Sequence, residues 1–306
     1  MELARLPRFK RLPAIKQLRL TNRDCDILKH VHLHRFLRSD HITSLFPGSP
    51  QQVLRRLQLL YHHGYLERPR CQIDYYQSGS RRMAYGIGNK GGWLLKREFS
   101  LHYHRLDWQA KNRVSRLFLE HALLVSDVMV AVEMACRNQS SLRLLSPEEI
   151  VPPPDTARKR EPLRWTVDIG NRLQCGVIPD RVFGFEFTDK SGRRNQSWFF
   201  LEADRGTMPI VRSSLDKSSS FRKLSAYEAT WSQNLHRTKL GLNRFRVLTV
   251  TSNPERIGTM QQAARSLKRG HGLFLFLDAK TLKEEKDFFA LRWQTCRDGE
   301  TVGLLD

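Results

Sequence analysis

Three carboxylates lie beside two short apolar segments of the sequence. Asp180 precedes the apolar segment 182–187, and Glu202 and Asp204 follow the apolar segment 198–201. Alternate residues of a strand point to the same side, so Glu202 and Asp204 are expected on one face of a sheet. Mg²⁺ and Mn²⁺ prefer carboxylate oxygens, and a bound ion activates water and neutralises a phosphate. The three residues therefore predict a metal-dependent site for phosphodiester chemistry.

Two further side chains are candidates for the same site. Lys223 lies on the helix predicted to follow the acidic pair, and Glu120 lies on a helix that precedes it. A lysine would stabilise negative charge on a phosphate, and Glu120 would add an oxygen ligand. The predicted catalytic residues are Asp180, Glu202, Asp204 and Lys223, and the predicted metal ligands are Asp180, Glu202, Asp204 and Glu120.

The second part of the chain alternates between strands and helices. This alternation predicts a mixed sheet flanked by helices, an α+β or α/β architecture. The acidic residues are expected beside the strands at 182–187 and 198–201. Strands are predicted at 142–151, 164–169, 182–187, 198–201, 245–251 and 272–277, and helices at 218–234 and 254–268.

This order of elements, with its acidic residues, resembles the PD-(D/E)xK nucleases and their restriction-endonuclease-like fold. Those enzymes carry a lysine two residues after the glutamate, where this chain has Asp204. The resemblance implies that Lys223 or Arg205 supplies the missing positive charge. Two interpretations stay open: a Mg²⁺- or Mn²⁺-dependent DNA nuclease, or a structural role in which Asp180 and Asp204 pair with Arg181 and Arg205.

Positive charge is concentrated in the first third of the chain. The 306 residues include 52 Lys+Arg and 31 Asp+Glu, for a net charge of +21, and residues 1–105 hold 20 and 7 of them. Such an excess attracts polyanions, so nucleic acid is the first expected partner and an acidic membrane surface the second. No apolar stretch is long enough to span a membrane. The five scattered cysteines lack a CxxC pair and suggest a reducing cytoplasm.

The basic third of the chain has the order of a winged helix-turn-helix domain. Helices are predicted at 22–35, 39–46 and 50–63, with Pro50 at the first position of the third and Gly64 just past its end. A hairpin with a basic tip at 78–82 follows. The third helix would enter the major groove of double-stranded DNA, and the hairpin tip would contact phosphate or the minor groove. The predicted DNA-binding residues are Ser49, Gln51, Gln52, Arg55, Arg56, Arg81 and Arg82.

A long apolar periodicity at 107–138 predicts a helical connector, with a break expected near residues 126–127. The predicted organisation is a basic leader at 1–20, a winged helix-turn-helix domain at 21–105, and a connector with a restriction-endonuclease-like domain at 106–306. The alternative for the first domain is a protein-interaction module whose arginines form a solvated face.

The motifs, taken in order, resemble the replication-relaxation family of plasmids and other mobile elements. They are LTNRD at 20–24, GIGNKGGWLL at 86–95, EHALLVSDVMV at 120–130, IPD at 178–180, LEADRGT at 201–207 and FRKLSAY at 221–227. The resemblance implies DNA binding in plasmid replication, mobilisation or transfer. It also carries over, by motif position, His121, Asp127, Asp180, Glu202, Asp204, Arg205, Gly206, Lys223 and Tyr227.

Three functions are therefore expected, in this order. The first is a cytoplasmic DNA-binding regulator or accessory factor of a mobile element. The second is a metal-dependent endonuclease targeted by the winged helix. The third is a protein-binding adaptor in a nucleoprotein assembly. The expected partners are double-stranded DNA and, in a nucleoprotein complex, a second copy of the chain or other proteins.

Overall fold

The chain forms two compact units, Met1–Val130 and Ala131–Asp306. The computed structural model describes residues 8–12, 17–76, 82–99, 107–153, 163–170, 173–188, 192–211 and 219–305. Both units combine helices and strands, so the chain has a mixed α+β fold. The sequence-based domain limits at residues 20 and 105 stay predictions.

The first unit begins with three helices and a small sheet. The strands pair antiparallel in the order β1-β3-β2. A longer helix, α6, ends beyond the unit. The elements are α1 (Asn22–His34), β1 (Leu37–Arg38), α2 (Ser39–Leu45), α3 (Pro50–His62), β2 (Leu66–Glu67), a 3₁₀ helix (Arg70–Tyr76), β3 (Ala84–Ile87), α4 (Asn89–Phe99), α5 (Trp108–Lys111) and α6 (Arg116–Arg137).

The three predicted helices are confirmed, and local chemistry fixes their ends. Thr21 caps α1 in a capping box, since its side chain accepts from the Asp24 amide and Asp24 accepts from Thr21. Helix α2 ends at Leu45, one residue before the predicted end, because Phe46 is extended. Helix α3 starts at Pro50, and Gly64 beyond it has φ +84°.

The glycines of the GIGNKGG segment allow close backbone packing. A side chain on Gly88 would lie 2.4 Å from the carbonyl oxygen of Gly64, and one on Gly91 would lie 2.2 Å from that of Tyr65. Strand β3 and helix α4 thus reach the end of α3 and the start of β2 only with glycine at these positions.

The connector is interrupted at a different place from the one predicted. Asp107 caps α5, which stops at Lys111, and α6 then runs without a break from Arg116 to Arg137. The predicted break near residues 126–127 is wrong, because the Ser126 hydroxyl bonds the carbonyl oxygens of Ala122 and Phe36 inside a continuous helix.

The second unit is built on a seven-stranded mixed sheet in the order β12-β11-β10-β9-β8-β7-β4. The pairs β8-β9 and β9-β10 are parallel, and the other pairs are antiparallel. The strands are β4 (Leu142–Leu145), β5 (Trp165–Asp168), β6 (Gln174–Val177), β7 (Arg181–Thr188), β8 (Arg194–Asp204), β9 (Phe245–Thr251), β10 (Phe274–Asp278), β11 (Trp293–Gln294) and β12 (Thr301–Val302).

The helices of this unit are α7 (Ser220–Ser232), α8 (Leu235–Thr238), α9 (Glu255–Arg265) and α10 (Ala279–Glu284). The strand predicted at 164–169 exists as β5, but it pairs with β6 in a separate two-stranded sheet. The short strands β11 and β12 extend the large sheet at its edge and were not predicted.

An aromatic core fixes the face of the large sheet that holds the carboxylates. Phe200 of β8 packs on Tyr227 of α7, with ring centroids 5.8 Å apart, and on Trp165 of β5 at 5.5 Å. Ile257 and Met260 of α9 belong to the same core. Since residues 200, 202 and 204 alternate along β8, Glu202 and Asp204 share this helix-covered face.

None of the helices in the described ranges is both long and apolar enough to cross a membrane.

Candidate functional site

Helix α3 presents a polar face to solvent, which we call the α3 surface (Ser49, Gln51, Gln52 and Arg55). Its opposite stripe, Val53, Leu57 and Leu60, is fully buried. All four residues of the α3 surface are exposed, and the Ser49 hydroxyl makes no cap bond. The apolar stripe therefore attaches the helix to the unit. The amide and guanidinium groups lie on the opposite face of the helix and point to solvent.

Arg56 does not belong to this surface. Its Nε donates to Asp24 Oδ1 at 3.0 Å, and its NH2 group donates to Asp24 Oδ2 at 2.5 Å. The Asp24 side chain is fully buried. Burial alone would raise the pKa of Asp24, but the hydrogen bonds from Arg56 and Thr21 outweigh it and lower the pKa. Arg56 thus neutralises a buried carboxylate inside the unit.

Of the two arginines predicted at the hairpin tip, the structure describes Arg82. Arg81 lies outside the described residues. Arg82 is two-thirds exposed, and its Nε lies 3.6 Å from Asp40 Oδ2 at the start of α2. Such an exposed pair contributes little to stability, so the guanidinium stays accessible to another anion.

Positive groups also surround the end of α3. Burial lowers the pKa of His63, and the charges of Lys90 and Arg56 lower it further. The pKa of His62 is lowered by burial and by Arg68. Both histidines are therefore neutral at pH 7, and the positive potential here comes from the lysine and the arginines.

The second unit contains a compact polar group, the carboxylate centre (Asp180, Glu202, Lys223 and Tyr227). Glu202 is buried on β8. Lys223 Nζ donates to Glu202 Oε2 at 2.5 Å, and the Tyr227 hydroxyl donates to Oε1 at 2.5 Å. Lys223 and Tyr227 are four residues apart on α7, which places both on the same side of the helix.

Burial sets the protonation of this centre. It raises the pKa of Glu202, opposed by Lys223 and assisted by the charge of Asp180. Burial and the neighbouring Glu202 raise the pKa of Tyr227, which therefore keeps its proton. Burial would lower the pKa of Lys223, but the charges of Glu202 and Asp180 outweigh it and raise the pKa. Lys223 is accordingly a stable cation.

Asp180 joins the start of β7 to β8. Its Oδ2 accepts the Ala203 amide at 2.8 Å, and its own amide donates to the Leu201 carbonyl oxygen at 3.0 Å. These two bonds hold the carboxylate next to Glu202. The structure thus brings together three of the predicted site residues, Asp180, Glu202 and Lys223.

Asp204 shares the sheet face but has other partners. Arg256 of α9 donates to it through Nε at 2.8 Å and NH2 at 3.1 Å, and Thr251 donates through Oγ1 at 2.8 Å. Both members of the ion pair are largely buried. Asp204 is thus a salt-bridge residue, partnered by Arg256 and not by the expected Arg205.

Three of the predicted metal ligands, Glu120, Glu202 and Asp204, have protein partners in the structure. Glu120 belongs to the first unit, where it accepts from Arg116 at 2.9 Å. Both oxygens of Glu202 and both oxygens of Asp204 already accept hydrogen bonds. In the ranges that the structure describes, no group of three or more His, Cys, Asp or Glu side chains is arranged to hold a metal ion. The donor set does not fit a preformed divalent-cation site.

Several functional partners were missed by sequence reasoning. Arg256 and Thr251 lie about fifty residues after Asp204, and no local spacing connects them. Tyr227 was carried over by motif position alone, although its spacing from Lys223 within one predicted helix was a usable signal.

Asp127, also carried over by motif position, anchors a buried cluster in the first unit. It accepts from Arg38 and lies 2.7 Å from His41 Nε2. Burial alone would raise the pKa of Asp127, but His41 and Arg38 outweigh it and lower the pKa. This cluster links α6 to the start of α2.

A family model described as Replication-relaxation matches residues 28–244. The match covers α3 and the carboxylate centre and ends before Thr251 and Arg256. No curated protein and no solved structure matches the chain.

Proposed function

The chain belongs to the replication-relaxation family, and from this membership we propose that it is a DNA-binding protein of a plasmid or other mobile element. It acts in replication, in mobilisation or transfer, or in their regulation. Its ligand is double-stranded DNA, and its compartment is the cytoplasm. The first unit provides the DNA contact.

The order of the elements supports a winged helix-turn-helix assignment for this unit. Helices α1, α2 and α3 are followed by the antiparallel strands β2 and β3. Strand β1, which lies between α1 and α2 in the sequence, pairs with the other side of β3, so the order is β1-β3-β2. In a winged helix the third helix enters the major groove and the β2–β3 connection forms the wing. Arg82 lies at the end of that connection, just before β3, where a wing residue would contact a phosphate group of the DNA.

The observation that carries the proposal is the α3 surface. Gln51, Gln52 and Arg55 are exposed, and no described residue bonds their side chains. Glutamine pairs with adenine and arginine with guanine through two hydrogen bonds each in the major groove. These amide and guanidinium groups have no hydrogen-bond partner among the described residues, and the chain has a net charge of +21. Both properties favour DNA, which is a polyanion and presents hydrogen-bonding base edges.

The test uses a 30-base-pair duplex of mixed sequence, labelled with fluorescein, in an anisotropy titration at about 50 mM salt, where phosphate contacts are strongest. The wild-type chain is expected to bind, and the combined variant Gln51→Ala/Gln52→Ala/Arg55→Ala to bind at least tenfold more weakly. The control is Lys280→Ala, an exposed cation of the second unit. If the combined variant binds the duplex as tightly as wild type, α3 is not the DNA-binding helix. If wild type does not bind the duplex, the proposed DNA-binding function is refuted.

The protein-interaction alternative predicts a different result. An adaptor would bind the duplex with no dependence on the α3 surface and would copurify with a partner chain. A homodimer is compatible with either proposal, since operators with two half-sites mirror a two-fold protein.

A second candidate function, DNA cleavage, is favoured by one contact. The PD-(D/E)xK nucleases have a lysine at the position that Asp204 occupies in this chain. Lys223 lies beside Glu202 and would supply that positive charge instead. In this candidate Lys223 stabilises negative charge on a phosphate, and Glu202 positions it. Because the donor set does not fit a preformed metal site, a divalent ion would first have to displace Lys223 from Glu202.

Plasmid nicking tests this candidate. Supercoiled plasmid is incubated with wild type, Glu202→Gln, Lys223→Ala or the exposed control Asp298→Asn, with Mg²⁺ or Mn²⁺ added. Nicking that is lost in the two centre variants and kept in the control would support cleavage. Nicking that is equal in all four proteins, or absent from all four, would remove it.

A further inference from the structure

Helix α4 exposes a tryptophan on the surface of the first unit. The Trp93 side chain is 60% exposed, whereas the adjacent Leu94 and Leu95 are buried. The leucines attach α4 to the unit, so the indole on the other side of the helix is not needed for packing. Much of this aromatic ring is therefore in contact with water and accessible to an external ligand.

A cation already covers part of this ring. The Arg97 guanidinium lies 4.6 Å from the centroid of the Trp93 ring, one helical turn further along α4. Arg97 also pairs with Glu98 at 2.7 Å, and both side chains are exposed. The Trp93 side chain is still 60% exposed with this contact in place, so aromatic surface remains accessible to a flat, polarisable group and a cation lies beside it.

Further lysines lie on the same side of α4. Lys90 and Lys96, three residues before and after Trp93, are both exposed. Lys90 also lies beside Gly64 at the end of α3. With Arg97, these residues provide three positive charges against the single negative charge of Glu98. We call Lys90, Trp93, Lys96 and Arg97 the α4 surface.

We propose that the α4 surface binds single-stranded DNA, with one unpaired base stacked on Trp93 and the flanking phosphates beside Lys90, Lys96 and Arg97. Aromatic side chains in a basic setting are the usual platform for unpaired bases. Bases within a duplex stack on one another and offer no free face, so this ligand differs from that of the α3 surface. The choice of DNA over RNA rests on the proposed function.

Fluorescein-labelled dT30 is the probe, titrated with the full chain at about 50 mM salt. Trp93→Ala is expected to weaken binding about tenfold, and Trp93→Phe to restore most of it, because phenylalanine keeps an aromatic face. Trp231→Ala is the matched control, since Trp231 is a partly exposed tryptophan of the second unit. Its binding is expected to equal that of wild type.

The mixed-sequence duplex, titrated in parallel, separates this inference from the proposed function. Trp93→Ala is expected to bind duplex like wild type, and the combined α3 variant to keep its dT30 binding. Wild type that binds duplex but not dT30 would overturn this inference alone. Binding of dT30 that depends on Trp93, without duplex binding, would overturn only the proposed function.

Two further results would contradict the assignment. Trp93→Ala that folds with an unchanged Tm and binds dT30 as tightly as wild type would exclude stacking on Trp93. Tighter binding of rU30 than of dT30 would exclude DNA as the preferred strand.

Discussion

The α3 surface and the carboxylate centre use polar side chains in opposite ways. On α3, Gln52 and Arg55 face solvent and no described residue bonds them. In the carboxylate centre, Glu202 is buried and both of its oxygens accept from side chains of α7. Polar groups with internal partners stabilise the unit that contains them. Polar groups without them are the ones available to an external ligand.

The same contrast occurs between two adjacent residues of α3. Arg55 is exposed, whereas Arg56 is held by the fully buried Asp24. One step along the helix turns a side chain by about 100°, which is enough to separate a surface role from a structural one. The variants below are ordered by the size of the expected effect.

Arg56→Ala is expected to have the largest effect on stability. It leaves the buried carboxylate of Asp24 without its cation, which costs about 3 kcal/mol in the free energy of unfolding. Urea denaturation monitored by circular dichroism measures it. The matched control, Arg55→Ala, is expected to change stability by less than about 0.5 kcal/mol. Equal losses in the two variants would contradict the division between them.

Glu202→Ala is expected to cost about 2 kcal/mol, because the buried Tyr227 hydroxyl loses its acceptor. Lys223 is almost half exposed and regains water, which keeps the loss below that of Arg56→Ala. The control is Glu284→Ala, whose exposed pair with Lys280 is expected to contribute about zero. A Glu202→Ala protein as stable as this control would show that the centre does not hold α7 on the sheet.

The stability contributions of the two buried carboxylates, Asp24 and Glu202, are also expected to depend on pH with opposite signs. Asp24 has a lowered pKa, so between that value and the usual 3.8 the unfolded chain binds more protons. Its contribution to stability is present above this window and is lost as the pH falls through it. Glu202 has a raised pKa, so the folded chain binds more protons above pH 4.5, and stability falls as the pH rises there.

Urea unfolding of wild type, Asp24→Asn and Glu202→Gln across pH 3–7 tests these signs. The advantage of wild type over Asp24→Asn is expected to grow as the pH rises at the acid end. Its advantage over Glu202→Gln is expected to shrink above pH 4.5. Differences that change in the same direction would contradict the contrast between the two carboxylates.

Local patterns predicted the helices and strands better than the partners of the polar residues. Apolar spacing, Pro50 and Gly64 fix the limits of α3, because each of these signals acts within a few residues. The alternation of β8 likewise placed Glu202 and Asp204 on one face. The helices and the mixed sheet of the predicted fold are confirmed, while the winged-helix and restriction-endonuclease-like assignments stay predictions.

The partners depend on tertiary packing between distant segments. Arg55 and Arg56 are identical and adjacent in the sequence, so local patterns predict the same role for both. They differ because Arg56, and not Arg55, lies next to Asp24 of α1. Asp204 meets Arg256 because α9 follows a parallel strand and returns to the same face. No short sequence window contains both members of either pair, so the sequence overestimated the number of free charges.

The salt dependence of duplex binding tests the central claim most directly. Binding of the 30-base-pair duplex is measured from about 50 to 300 mM salt for wild type and Arg55→Ala. Wild type is expected to show a steep negative slope of log K against log salt. Arg55→Ala is expected to bind about five- to tenfold more weakly, with a slope smaller by about one. Identical affinities and slopes, or binding that does not depend on salt, would contradict the assignment of α3 as the DNA-binding helix.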